Sequence, residues 1–214
     1  EDGIRDVERS RGLGDVYKRQ IIEAPDGMLM IAGEKSHGNQ NYDCAFNFMY
    51  YKDFWEVKVK KNGALIWEKT FGGPYMEKAV DIVSLEENGF ALIGDKCDHN
   101  YDVLSCGSVA KVLYMKIDDD GNLLEENSWP GLNFIERIPY FSITTTSNGG
   151  IAWTAEHKNN GTWIHKWGPL EDTVNIYANG LGGFDINRTS DDGFIIGTWG
   201  GTIIKTDSEL NYEE

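Results

Sequence analysis

No stretch of this chain approaches the roughly 20 apolar residues that a helix needs to cross a bilayer, so none of it reads as a membrane-spanning helix. Positive charge is scarce: 20 Lys and Arg face 35 Asp and Glu, a net charge of −15. Binding to nucleic acid requires a basic face against phosphate, and binding to anionic lipid requires the same. The acidic balance argues against both, and its ordinary meaning is solubility. Only three cysteines and four histidines are present. No C-x-x-C or H-x-E spacing joins them, so no metal site is indicated. None of His37, His99, His157 or His165 has a nucleophile motif beside it, as covalent hydrolysis would want. A sustained helical period is missing too, which leaves strands as the regular structure.

What the chain has instead is repetition, and internal repeats decide a fold before local propensity does. The clearest unit reads Trp67-Glu-Lys-Thr-Phe-Gly-Gly73, Ala79-Val-Asp-Ile-Val-Ser-Leu85, Asn88-Gly89, Phe90-Ala-Leu-Ile-Gly94. Hairpin turns fall at Asp26-Gly27, Asn88-Gly89, Asn148-Gly149-Gly150 and Asp192-Gly193; glycines 27, 89, 150 and 193 are spaced 62, 61 and 43 residues apart. Asn-Gly and Asp-Gly supply the positive φ that tight hairpins need. Alternating segments at Phe54–Lys60, Val112–Ile117 and Thr202–Lys205 have period two and read as strands with one face buried. Asn62-Gly63 and Asp118-Asp-Asp-Gly-Asn122 turn into fourth strands at Leu65–Thr70 and Leu123–Trp129. The aspartates at 118–120 superficially suggest calcium. Lys60-Lys-Asn-Gly63 stands in the same place one unit earlier, however, so a plain turn is the expectation.

Each unit is thus four short antiparallel strands, and the predicted fold is all-β, an array of β-propeller-like blades. In these motifs the chain resembles secreted bacterial β-propeller repeat proteins with W-x-K-T-x-G-G … D-G-G-[FY] units, from about Ile21 onward and most closely over 54–94 and 182–206. The third unit departs, with Gly168-Pro169-Leu170 after Trp163-Ile-His-Lys-Trp167. Ser10–Gln20 resembles a translated sequencing-library adapter, so residues 1–20 are set aside as non-native. The blades then divide at approximately 21–71, 72–129, 130–181 and 182–214. They amount to about three and a half, the first and last incomplete, against roughly 4 to 8 in a closed ring. A fragment is the expectation.

Insertions concentrate in the connections Gly33–Asp53 and Gly94–Lys111, at the rim formed by the second-to-third-strand loops, and binding sites favour loops on rigid scaffolds. Tyr42, Asp43, His99, Tyr101 and Asp102 are the candidate contacts there. Cys97 and Cys106 can close their loop as a disulfide in an oxidising compartment, with Cys44 a competing partner and free thiols the alternative. Trp163, Trp167 and Trp199 could offer aromatic faces to a glycan; packing is the preferred reading, as it is for Trp55, Trp67, Trp129 and Trp153 within strands. Compartment and source follow from the resemblance alone: an extracellular or cell-surface bacterial module. Its expected role is non-enzymatic binding or scaffolding of an unknown protein or glycan, without a cofactor. Two alternatives stay open, a glycan-active propeller enzyme whose catalytic groups lie outside this chain, and a spacer.

Overall fold

The computed structural model describes residues 16–37, 51–73, 77–86, 89–96, 111–129, 141–157, 161–168, 171–177, 182–198 and 201–212. All regular structure among them is strand, in four small antiparallel sheets that follow one another along the chain. The first sheet holds β1 (Val16–Glu23), β2 (Leu29–His37), β3 (Tyr51–Val59) and β4 (Leu65–Phe71), paired in that order. The second holds β5 (Glu77–Ser84), β6 (Phe90–Lys96), β7 (Lys111–Ile117) and β8 (Leu123–Trp129). The third holds β9 (Phe141–Thr145), β10 (Ile151–His157), β11 (Gly161–Gly168) and β12 (Glu171–Tyr177). The fourth has β13 (Gly183–Arg188), β14 (Phe194–Thr198) and β15 (Ile203–Thr206), with Tyr212 making one bridge to Thr206. No helix among the described residues is long and apolar enough to cross a membrane.

Two sequence expectations change. The first sheet is complete, because Val16–Gln20, inside the segment set aside as foreign, pairs with β2 from Val16↔Lys35 onward. Strand pairing joins backbones and accepts any sequence without interrupting prolines. The long connections are also shorter than expected: β2 and β3 stay paired out to His37↔Tyr51, and β6 and β7 to Lys96↔Lys111, which leaves 38–50 and 97–110 as the connecting residues.

The turns share one construction. In 24–28, 60–64, 118–122, 146–150, 189–193, 198–202 and 207–211 the first N–H donates to the fifth carbonyl, and the fourth N–H donates back to the first. That arrangement puts the fourth residue in the left-handed region, at φ 78° in Gly27, 83° in Gly63, 75° in Gly121 and 82° in Gly149. Two non-glycines fill the same place, Asp192 and Leu210, both at φ 63°. Gly150 and Gly193 therefore follow the position that Gly27 occupies, so the first repeat is offset by one from the sequence alignment. At Asp118 the carboxylate accepts from the N–H groups of Asp120 (3.0 Å) and Asn122 (2.7 Å) and from the Asn122 side chain (2.9 Å). Asp207 repeats the arrangement with Glu209 and Asn211. The aspartate cluster is a self-capped turn.

Successive sheets pack face to face. Met30, Phe54, Ile82, Phe90 and Leu92 belong to the core between the first and second sheets. Ile93, Tyr114, Phe141, Ile143 and Trp153 belong to that between the second and third. Ala152, Ile164, Phe194 and Ile196 belong to that between the third and fourth. The second and third sheets thus pack on both faces, and Val112–Met115 is buried at every residue rather than at alternate ones; Phe54–Lys58 of the first sheet is buried throughout as well. Along the first strands of the four sheets runs a polar seam. Gln20, Asp81, Ser142 and Asp185 each stand four residues before their turn. The Asp81 carboxylate accepts from the Gln20 side chain, from Ser142 Oγ (3.0 Å) and from Ile143 N (3.0 Å), while Ser142 Oγ lies 3.2 Å from Asp185.

Candidate functional site

The pairings Leu29↔Val59, Phe90↔Ile117, Ile151↔Trp167 and Phe194↔Thr206 align the four sheets residue by residue. They place Lys58, Lys116, Lys166 and Lys205 at one equivalent position, just inside the end of the third strand. Lys58 is buried and its Nζ lies 3.4 Å from the Asp119 carbonyl in the turn of the next sheet; it also pairs with Asp26 at 2.7 Å. Lys166, equally buried, donates at 2.6 Å to the carbonyl of Ser208, which holds the same turn position in the fourth sheet. A lysine of one sheet thus clasps the turn of the next. At the first junction Trp67, from the Trp67–Gly73 motif, adds a second donor: its Nε1 lies 3.0 Å from the same Asp119 carbonyl.

The second junction is built differently. Gly168 pairs with Glu171, so only Pro169 and Leu170 connect the third and fourth strands, where the other sheets use five residues. Glu125, opposite Lys116, stands where Trp67 stands opposite Lys58. Among the described residues, half-buried Lys116 makes no hydrogen bond or ion pair. A cleft of about 300 Å³ opens at this point. Leu85, Ile151, Tyr114 and Trp167 form its apolar lining, Lys116 and Glu125 its charged one, and Gly149, Gly150 and Gly168 add backbone without side chains.

Below the cleft lies an aromatic cluster. Tyr114 meets Trp167 edge-on at 5.0 Å, Trp129 meets Trp167 at 5.8 Å, and the buried Trp153 lies 5.6 Å from Trp129 and 5.4 Å from Trp163. Edge-to-face contacts such as those of Trp167 with Tyr114 and Trp129 fix ring positions beyond what area burial does. Burial, reinforced by the nearby Glu125 carboxylate, raises the pKa of the Tyr114 hydroxyl, which therefore stays a neutral donor. It has no hydrogen-bond partner among the described residues.

Other buried titratable groups lie apart from the cleft. Glu56 occupies, in the first sheet, the position of Tyr114 and Ile164. It is fully buried with neither carboxylate oxygen hydrogen-bonded, and desolvation raises its pKa well above the ordinary value. Burial pushes Asp95 up to about 6. Among the described residues no group of three His, Cys, Asp or Glu side chains is gathered to hold a metal.

Tyr42, Asp43, His99, Tyr101, Asp102, Cys97, Cys106, Cys44 and Trp199 lie outside the described residues. The cleft sits at the opposite end of the sheets from the connections that carry most of them, beside the turns. Of the aromatic candidates, Trp167 reaches the cleft, whereas Trp163 joins the aromatic cluster. Trp55 and Trp153 are buried, and Trp67 and Trp129 pack against the cores. Tyr114, Lys116 and Glu125 were not singled out from the sequence; the signal was Glu125 in the Trp67 position together with the short Pro169-Leu170 connection.

No family model matches the chain, and no curated protein matches it. Its fold is similar to the crystal structure of a Bacteroides caccae protein of unknown function, with a TM-score of 0.51 and 12% identity. The match covers 92% of this chain and 65% of that one.

Proposed function

We propose that the chain is part of a β-propeller that acts as a non-enzymatic binding module, of the secreted or surface-attached kind that its W-x-K-T-x-G-G units resemble. The observation that carries this reading is the pair of equivalent lysine clasps at the first and third junctions, Lys58 to the Asp119 carbonyl and Lys166 to that of Ser208. Sheets joined in register by one recurring contact behave as repeats of one unit, which is how propeller blades assemble. The outward face of the fourth sheet exposes Ile195 (39%) and Ile203 (64%). Their counterparts Ala91 and Tyr114 are buried at an internal junction, so this face suits a further sheet. A rigid array with a cleft at its second junction suits binding better than chemistry, since no described nucleophile and base converge there.

Sequencing the source locus beyond residues 21 and 214 tests the architecture; further units of the same motif are expected, and unrelated flanking sequence would remove it. Glycan and protein arrays probed with the chain, followed by product analysis on each hit, test the activity. Retention without turnover is expected.

A further inference from the structure

We infer that the cleft between the second and third sheets holds a single-carboxylate sugar ring, a monosaccharide of the uronic acid type. This rests on the binding-module reading and names the ligand class for that site. Two departures from the clasped junctions coincide there. Two residues, Pro169-Leu170, join the third and fourth strands of the next sheet where the others use five, and Lys116, opposite Glu125, has no partner among the described residues. A half-buried ammonium without an acceptor favours an anionic group, because charge-assisted hydrogen bonds exceed neutral ones in strength.

The rest of the lining suits the remainder of such a ligand. Glu125 already accepts from Asn127 Nδ2 at 3.1 Å through Oε1, and its second oxygen can accept from sugar hydroxyls. The Tyr114 hydroxyl, kept protonated, can donate to them. Trp167, Ile151 and Leu85 offer apolar area to the C–H face of the ring. A volume of about 300 Å³ lies at the small end for ligand clefts, which suits one hydroxylated ring and its carboxylate. The net charge of −15 disfavours polyanions, which leaves a ligand with one negative charge.

The test is saturation-transfer NMR and tryptophan fluorescence titration of the chain with glucuronate and galacturonate, with glucose and galactose as neutral controls and benzoate as a carboxylate without hydroxyls. Uronate binding is expected to be weak and saturable, and at least about tenfold tighter than for the neutral sugars. Lys116→Gln should weaken it by about tenfold or more, while Lys205→Gln, the equivalent lysine outside the cleft, should not change it. Circular dichroism melts confirm that both variants fold. Equal binding of neutral sugars, preference for benzoate, or unchanged uronate affinity in Lys116→Gln would overturn the inference. So would no uronate signal, and if the same preparation were retained on arrays the binding-module reading would still stand. Uronate converted to new products in the NMR tube would uphold the cleft and end the non-enzymatic reading.

Discussion

The first and second junctions use the same geometry and different chemistry. At the first, Lys58 and Trp67 converge on one turn carbonyl and close the space between sheets. At the second, the equivalent residues Lys116 and Glu125 border a cleft, and adhesion falls to the aromatic cluster around Trp153. A repeat array can therefore give up a polar clasp at one junction if apolar packing there compensates. The vacated space is where variation can accumulate at little cost to stability.

The largest test of this contrast is Trp153→Ala. Removing a fully buried indole leaves a cavity, and a loss of about 3–5 kcal/mol is expected in urea unfolding. A loss below about 1.5 kcal/mol would mean that the aromatic cluster is not what holds the second junction.

Glu56 offers the next largest effect, at the first junction. Replacing it with leucine, as Tyr114 and Ile164 suggest, should stabilise the protein by on the order of 2 kcal/mol near neutral pH. Its pKa is raised on folding, so the folded state holds the proton more tightly than the unfolded one. The stability it contributes is complete below its unfolded value, near 4.5, and is lost as pH rises through the folded value. Asp95 acts with the same sign between 3.8 and about 6. Carboxylates held low by partners, such as Glu68 beside Lys35, have their effect below that window. Stability should thus fall as pH rises above the ordinary carboxylate range, and Glu56→Gln should flatten the slope. An unchanged slope would show that Glu56 does not titrate in this range.

The clasp itself predicts a graded series. Lys166→Met should cost about 1.5–3 kcal/mol by losing a charged donor to the Ser208 carbonyl. Lys116→Met should stay within about 0.5 kcal/mol. Similar losses at both would erase the distinction between the junctions. The smallest effect belongs to Glu125→Trp. The five-residue turn that Trp67 meets at the first junction has no counterpart of that length here, and a change under about 0.5 kcal/mol is expected in thermal melts. A gain of about 1.5 kcal/mol would show that the clasp needs only its tryptophan.

Turns and strands were largely legible because Gly at positive φ leaves a local signature, as at Gly63 and Gly121. Leu210 in the same conformation had no such signature, since its burial in the last core is a tertiary property. Period-two reading misjudged Phe54–Lys58: alternation implied a wet face, yet every residue of the run is buried, Glu56 and Lys58 included. The cleft was invisible for a related reason. Lys116 and Glu125 look like any exposed cross-strand pair until the two-residue connection of the neighbouring sheet is set against them.

The seam of Gln20, Asp81, Ser142 and Asp185 works as a gauge. Each member comes from a different sheet, and a strand advances about 3.3 Å per residue. Sliding one sheet by a single residue would therefore carry its polar group out of hydrogen-bond range of its neighbours along the seam. A hydroxyl has one proton, so Ser142 can donate to only one of its two flanking carboxylates at any instant. The middle of the gauge is thus a shared allocation rather than two independent bonds, and what is settled at one junction bears directly on the next.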